Sequence, residues 1–353
     1  MARSLTWVGW AALAIASLLL TLSPRLFGET PNGKAWRPPA CEIVPLAGRQ
    51  VSMRIDGIER CRWHHDPSYP RPFFFPLIGP SGEPLTRMGH PGAENHDHHR
   101  SVWFAFNNVA GLDFWGDRSG TQVVQDHWYA YRSEDAEGML AARLLWLDAG
   151  GVATMESDAF AAIVPMDDGE YGLELQLDLR PAAGREEVEL GKTNFGFLAV
   201  RVAESISAHF GDGQLTNSEG AIGEPAIFGK RAKWVDYSGP VAVGNGPDRK
   251  AVVEGITFFD HPDNPRYPTH WHVREDGWMG AAFCLEEGYR VTKGEGLRLR
   301  YLLHVHRGDV NGDAAAAALE AFAKRPPMRV RKGKAEEKHR QYVVERSHLS
   351  ERQ

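Results

Sequence analysis

After residue 40 the chain runs as short stretches, apolar throughout or alternating apolar with polar, cut apart by turns rich in Gly, Pro, Asp and Asn. Few of these stretches carry the 3.6-residue periodicity a helix needs, so they must find partners as strands. The clearest is G-L-E-L-Q-L-D-L at 172–179, whose period of two predicts a strand with one buried and one exposed face. Further strands are expected over 52–58, 71–78, 101–107, 139–147, 154–164, 171–179, 196–202, 251–259, 279–285 and 297–306. The 37 glycines and 22 prolines supply the punctuation between them. One helix is expected, over 314–324, capped by Asp313 and stopped by Pro326 and Pro327. The pattern predicts an all-β chain, a large antiparallel two-sheet β-sandwich with a short C-terminal helix.

Four segments differ in composition. Arg3 precedes an apolar run over 5–22, followed by Pro24 and Arg25, so 1–27 reads as an export signal or a membrane anchor. Residues 28–40 read as a linker, 41–327 as a single β-sandwich domain, and 328–353, rich in Arg, Lys and Glu, as a charged solvated tail. The expectation is an exported chain, periplasmic or anchored facing the periplasm. Three cysteines make no disulfide framework, although an oxidising compartment would permit a bridge between Cys41 and Cys61; Cys284 reads as core. A net charge of -6 without a basic, aromatic stretch excludes a nucleic-acid surface.

The chemistry concentrates in M-G-H-P-G-A-E-N-H-D-H-H-R at 88–100, bracketed by turn residues and leading into the aromatic strand S-V-W-F-A-F. Histidines in such density serve proton transfer or metal binding better than strand packing. Three H-x-H pairs occur, His96/His98, His270/His272 and His304/His306, and residues two apart on a strand point to one side. Trp271 should then face away from His270 and His272, into the core. Two readings compete. In one, His96 and His98 hold a divalent metal. In the other the site holds no cofactor: His98 or His99 is the acid or base, Glu94 its carboxylate partner, and Arg100, Trp103 and Trp115 hold a sugar. His261, Arg266, His270, His272, His304 and His306 are candidate substrate contacts.

The pieces R-P-F-F-F-P-L-I-G-P-S-G, E-N-H-D-H-H-R-S-V-W-F-A-F, G-L-D-F-W-G, K-T-N-F-G-F-L-A-V-R-V, S-E-G-A-I-G-E, F-G-K-R-A-K-W-V-D-Y-S-G and D-H-P-D-N-P-R-Y-P-T-H-W-H-V-R, in that order, resemble a bacterial family of unknown biochemical function labelled PmoA-like. That label implies a subunit of a membrane methane monooxygenase with several spanning helices. This chain offers one apolar segment, so the label and the physics disagree. The resemblance implies instead a sandwich similar to galactose mutarotase and its carbohydrate-active relatives, with a His and a carboxylate acting on a saccharide or glycoside. Three functions remain in play: an exported enzyme acting on a sugar, a non-catalytic saccharide-binding protein, and a metal-dependent hydrolase or oxygenase.

Overall fold

The computed structural model describes residues 36–90, 93 and 96–347. The contacts divide the chain into Met1–Pro38 and Pro39–Gln353, and all the described strands and helices belong to the second unit. The apolar N-terminal run and Glu94 lie outside the described residues. Among the described residues no helix is long and apolar enough to cross a membrane.

Twenty strands succeed one another along the described residues. The first ten are β1 (Cys41–Leu46), β2 (Gln50–Ile55), β3 (Ile58–His64), β4 (Phe73–Leu77), β5 (Val102–Phe106), β6 (Gln122–Ser133), β7 (Gly138–Leu147), β8 (Ala153–Pro165), β9 (Tyr171–Pro181) and β10 (Glu187–Leu190). Then come β11 (Gly196–Arg201), β12 (Gln214–Asn217), β13 (Trp234–Val243), β14 (Lys250–Asp260), β15 (Trp271–Arg274), β16 (Trp278–Ala281), β17 (Tyr289–Thr292), β18 (Leu297–Arg307), β19 (Met328–Lys332) and β20 (Tyr342–Arg346). A single-turn helix α1 (Glu224–Ile227) precedes β13, and α2 (Gly312–Lys324) comes after β18. Two antiparallel sheets of eight strands dominate, ordered β1-β2-β3-β4-β5-β11-β16-β15 and β12-β13-β14-β18-β9-β8-β7-β6. The all-β sandwich expected from the sequence is therefore the fold.

Alternation along each strand decides what lies where. From the first sheet Trp63, Phe74, Val102, Phe104, Phe106, Val200, Trp271 and Met279 enter the central core. From the second come Leu173, Leu175, Leu177, Phe258, Leu299, Tyr301 and Leu303. Intervening residues of the first sheet, Phe73, Trp103, Ala105, Ala199 and Trp278, form a separate outer cluster with Trp115 from the loop after β5. This second apolar layer, on the side away from the core, positions the site.

Several expectations need correction. The stretch 52–58 is not one strand, because Asp56 and Gly57, both with positive φ, turn β2 back into β3. Asn311, not Asp313, caps α2, its side chain accepting from the backbone N–H groups of Asp313 and Ala314. All three cysteines are free and buried, so no Cys41–Cys61 bridge forms. The polar face of β9 is covered: Glu174 and Gln176 are both fully buried. The cover is the segment read as a solvated tail, since β19 and β20 pair and Gln176 exchanges hydrogen bonds with the backbone of Met328. Arg300, Arg325 and Arg346 all reach Glu174 at 2.7–2.9 Å, and they outweigh the cost of its burial, holding its carboxyl down at about 2.

Candidate functional site

The loop that leads into β5 is pinned to the first sheet at several points. Ser101, at positive φ, accepts the Arg201 N–H at 2.7 Å and donates its own N–H to the Arg87 carbonyl at 3.0 Å, while its hydroxyl bonds Thr86 at 2.7 Å. A second loop is shaped by Asp113, whose carboxylate accepts the N–H groups of Trp115 and Gly116 at 2.7 and 3.1 Å. These anchors bring His96, His98, His99 and Trp115 over the outer faces of β11, β16 and β15. Those strands contribute Arg201, Trp278 and, through alternation, His272 and Arg274 but not Trp271. As the H-x-H spacing implied, Trp271 is in the core, its indole N–H bonded to the Ala232 carbonyl.

The result is a cavity of about 460 Å³ also lined by Asn107, Phe195 and Asp276. Six of its rings contact one another in a closed circuit: His98 to Trp115 at 6.2 Å between centroids, Trp115 to Phe195 at 5.2 Å, Phe195 to His272 at 5.0 Å, His272 to Trp278 at 5.4 Å, Trp278 to His99 at 4.8 Å, and His99 to His98 at 4.3 Å. Trp103 sits beneath, touching Trp115, Trp278 and His99.

The polar atoms of this circuit are unusually placed. Trp103 Nε1, Trp278 Nε1 and His99 Nδ1 are buried without a hydrogen-bond partner. Such atoms cost about 1–3 kcal/mol each, and two of the three belong to rings that line the cavity, Trp278 and His99. His272 directs Nδ1 to the Asn194 carbonyl at 3.1 Å, which can only accept, so Nδ1 carries the proton and Nε2 keeps a lone pair. Burial, helped by Arg274, holds His272 down at about 4. Burial, together with His98 and Arg201, holds His99 far below the usual range of a histidine. At neutral pH both rings are uncharged.

Two carboxylates lie close by, and arginines hold both ionised. Asp276 meets Arg201 at 2.7 Å; burial raises it, but the charge and hydrogen bond of Arg201 outweigh that and keep it below its ordinary range. Arg201 also contacts His90. Asp117 accepts from Arg71 at 3.0 Å and from Arg100 at 2.5 and 3.1 Å, and these bonds likewise overcome burial. Asp117 lines a second cavity of about 280 Å³ with Asp97, Gly116 and Arg118, and His98 lines both cavities.

Of the residues singled out from sequence, His96, His98, His99, Trp115 and His272 line the main cavity and Trp103 supports it. The others lie elsewhere. Arg100 is bound up with Asp117 and with the Tyr69 ring. Arg266 clamps a loop, donating to the carbonyls of Phe283, Glu287 and Gly288 at 3.2, 2.9 and 2.7 Å. His270 faces Glu286 at 3.2 Å, and His261 is fully buried against Arg300 at 2.8 Å and the Phe322 ring. His304 and His306 point outward from the second sheet, paired with Glu170 and Asp236 at 2.8 Å each. Period-two spacing places each such pair on one side of a strand but does not say which sheet the strand joins.

Sequence reasoning passed over Arg201, Asp276, Asn107, Phe195 and Arg274 as site residues. For Arg201 a signal existed: a charge at the end of the apolar run F-G-F-L-A-V-R-V, on the parity opposite Val200. Among the described residues no group of three or more His, Cys, Asp or Glu side chains is arranged to hold a metal ion. The His96 and His98 rings stand 5.9 Å apart, with His90 and His99 next to His96 at 5.6 and 5.0 Å.

No curated protein matches the chain. Among solved structures, a 4-alpha-glucanotransferase from Thermococcus litoralis is similar over 77% of this chain and 40% of its own, with 10% identity and a TM-score of 0.29. At that level the likeness carries no argument about activity, and the chain spans well under two thirds of that enzyme's length. A family is shown by sequence, and its description assigns neither a methane-oxygenase nor a mutarotase role: residues 50–320 match the family of unknown function DUF6807, to which this chain belongs.

Proposed function

We propose that the chain is an exported carbohydrate-active protein, its export directed by the apolar run at 5–22, and that the ring-lined cavity holds a pyranose. The observation that carries this reading is the closed circuit of six rings around one cavity, with Asn107, Arg201, Arg274 and Asp276 also in its lining. A pyranose presents an apolar C–H face to stack on aromatic rings, and hydroxyls around its edge to meet the polar side chains of the lining. The volume suits a small molecule, and a largely apolar lining with a few convergent polar groups is the usual build of such a site.

The chemistry best supported is proton transfer through imidazole. A hydrolase with two carboxylates needs one of them raised so that it can act as an acid. Asp117 and Asp276 are both held down by arginine. His98, which lines both cavities, gives or takes the proton, while the Nε2 lone pair of His272 meets a hydroxyl. Anomer interconversion needs one group to take the O1 proton and another to give a proton to the ring oxygen, parts that fall to the His272 Nε2 lone pair and to His98. The test is exchange NMR of the α and β anomers of glucose and galactose with the purified chain. Acceleration that His98→Ala abolishes is expected; acceleration that survives in His98→Ala refutes the assignment.

A second reading, recognition without turnover, is favoured by the neutral state of His99 and His272. It predicts sugar binding that is insensitive to pH above 6 and no acceleration of exchange by the wild-type chain.

A further inference from the structure

We infer that the natural ligand carries two linked sugar rings, a glycoside larger than a monosaccharide, with the linkage beside His98. This deepens the saccharide reading and rests on it. Two cavities, of about 460 and 280 Å³, share a wall residue, His98. The larger is walled by rings, which suit the C–H face of one sugar. The smaller is lined by Asp97, Asp117, Gly116 and Arg118, groups that suit the hydroxyls of another.

The smaller cavity is prepared for a ligand in two respects. Asp117 is held in place by Arg71 and Arg100, and Arg71 is itself buried, so the carboxylate, which lines the cavity, is fixed before anything arrives. Arg118, next in the chain, is exposed and has no ion-pair partner among the described residues. An exposed cation next to a fixed acceptor gives a donor and an acceptor for neighbouring hydroxyls of the second ring. A monosaccharide in the ring-lined cavity would leave both unused.

The experiment is calorimetric titration of the purified chain with glucose and galactose, and with lactose, cellobiose and maltose. At least one disaccharide is expected to bind roughly tenfold more tightly than its component sugars, a gain of about 1.4 kcal/mol. In Arg118→Ala, a surface change that spares the fold, that ratio should fall toward one. Equal affinity for single and double rings, or a ratio that Arg118→Ala leaves intact, overturns the two-ring inference while the one-ring reading stands. Absence of binding by all five sugars overturns both.

Discussion

The neutral state of His272 can be tested through stability. A histidine held at about 4 when folded and near 6.5 when unfolded contributes stability that is present above the unfolded value and lost as pH falls through the window between them. At pH 5 the unfolded side chain has taken up its proton and the folded one has not, which costs about 2 kcal/mol relative to pH 7. His272 is only 3% exposed, so solvent relieves little of this. His261, fully buried and also held at about 4, adds a similar loss. His306 works in the opposite sense: Asp236 overcomes burial and raises it, so its contribution is complete below the unfolded value and is lost as pH rises through the folded one. The perturbation is His272→Asn, whose side-chain amide can still donate to the Asn194 carbonyl but does not titrate. Urea unfolding of both proteins at pH 7, 6 and 5 is the assay, and terms shared by the two cancel in the comparison. The wild type should lose about 2 kcal/mol more than the variant between pH 7 and 5. Parallel loss in both proteins would show that His272 is not held neutral, and the reading of its Nε2 as an acceptor would fall.

Trp278→Phe removes a buried N–H that lacks a partner together with some apolar area, so unfolding free energy should change by less than about 1 kcal/mol while sugar affinity drops with the smaller stacking face; a large loss of stability with affinity intact would contradict the stacking role given to the ring. Arg346→Ala leaves Glu174 short of one of its three arginines in a fully buried position and should cost about 3–5 kcal/mol in urea unfolding, whereas a cost under about 1 kcal/mol would mean that the C-terminal hairpin is not a structural cover. Asn311→Ala should lower stability by about 1 kcal/mol through loss of the α2 cap, and an unchanged unfolding midpoint would refute that assignment. Treatment with EDTA should leave sugar binding unchanged, because it is attributed to rings and neutral imidazoles; loss of binding that zinc restores would move the account to a metal centre on His96 and His98.

The long strands β7, β8, β9, β14 and β18 were legible because each has its own two-residue periodicity or apolar run. The short β10, β12, β15 and β17, four residues each, carry too little pattern and exist because a neighbour supplies the ladder. Burial of Glu174 could not be read from alternation, since a polar residue on an alternating strand reads as solvent-facing until arginines 126, 151 and 172 positions away arrive to cover it. The candidate cavity was legible at its centre, in the histidine density of 96–99, since His96, His98 and His99 all line it. It was misread at the edges. His261, Arg266, His270, His304 and His306 are as polar as true site residues, and only the fold shows that their partners are structural carboxylates, arginines and carbonyls.

The measurement that bears most directly on the central claim is saturation-transfer difference NMR of the purified chain with glucose, galactose, lactose, cellobiose and maltose, repeated with Trp115→Ala and Trp278→Ala. If the ring circuit holds a pyranose, at least one sugar receives its strongest transfer on the C–H protons of one ring face, and each tryptophan variant loses it. If none of the five sugars receives transfer, or the signal persists undiminished in both variants, the cavity is not a saccharide site.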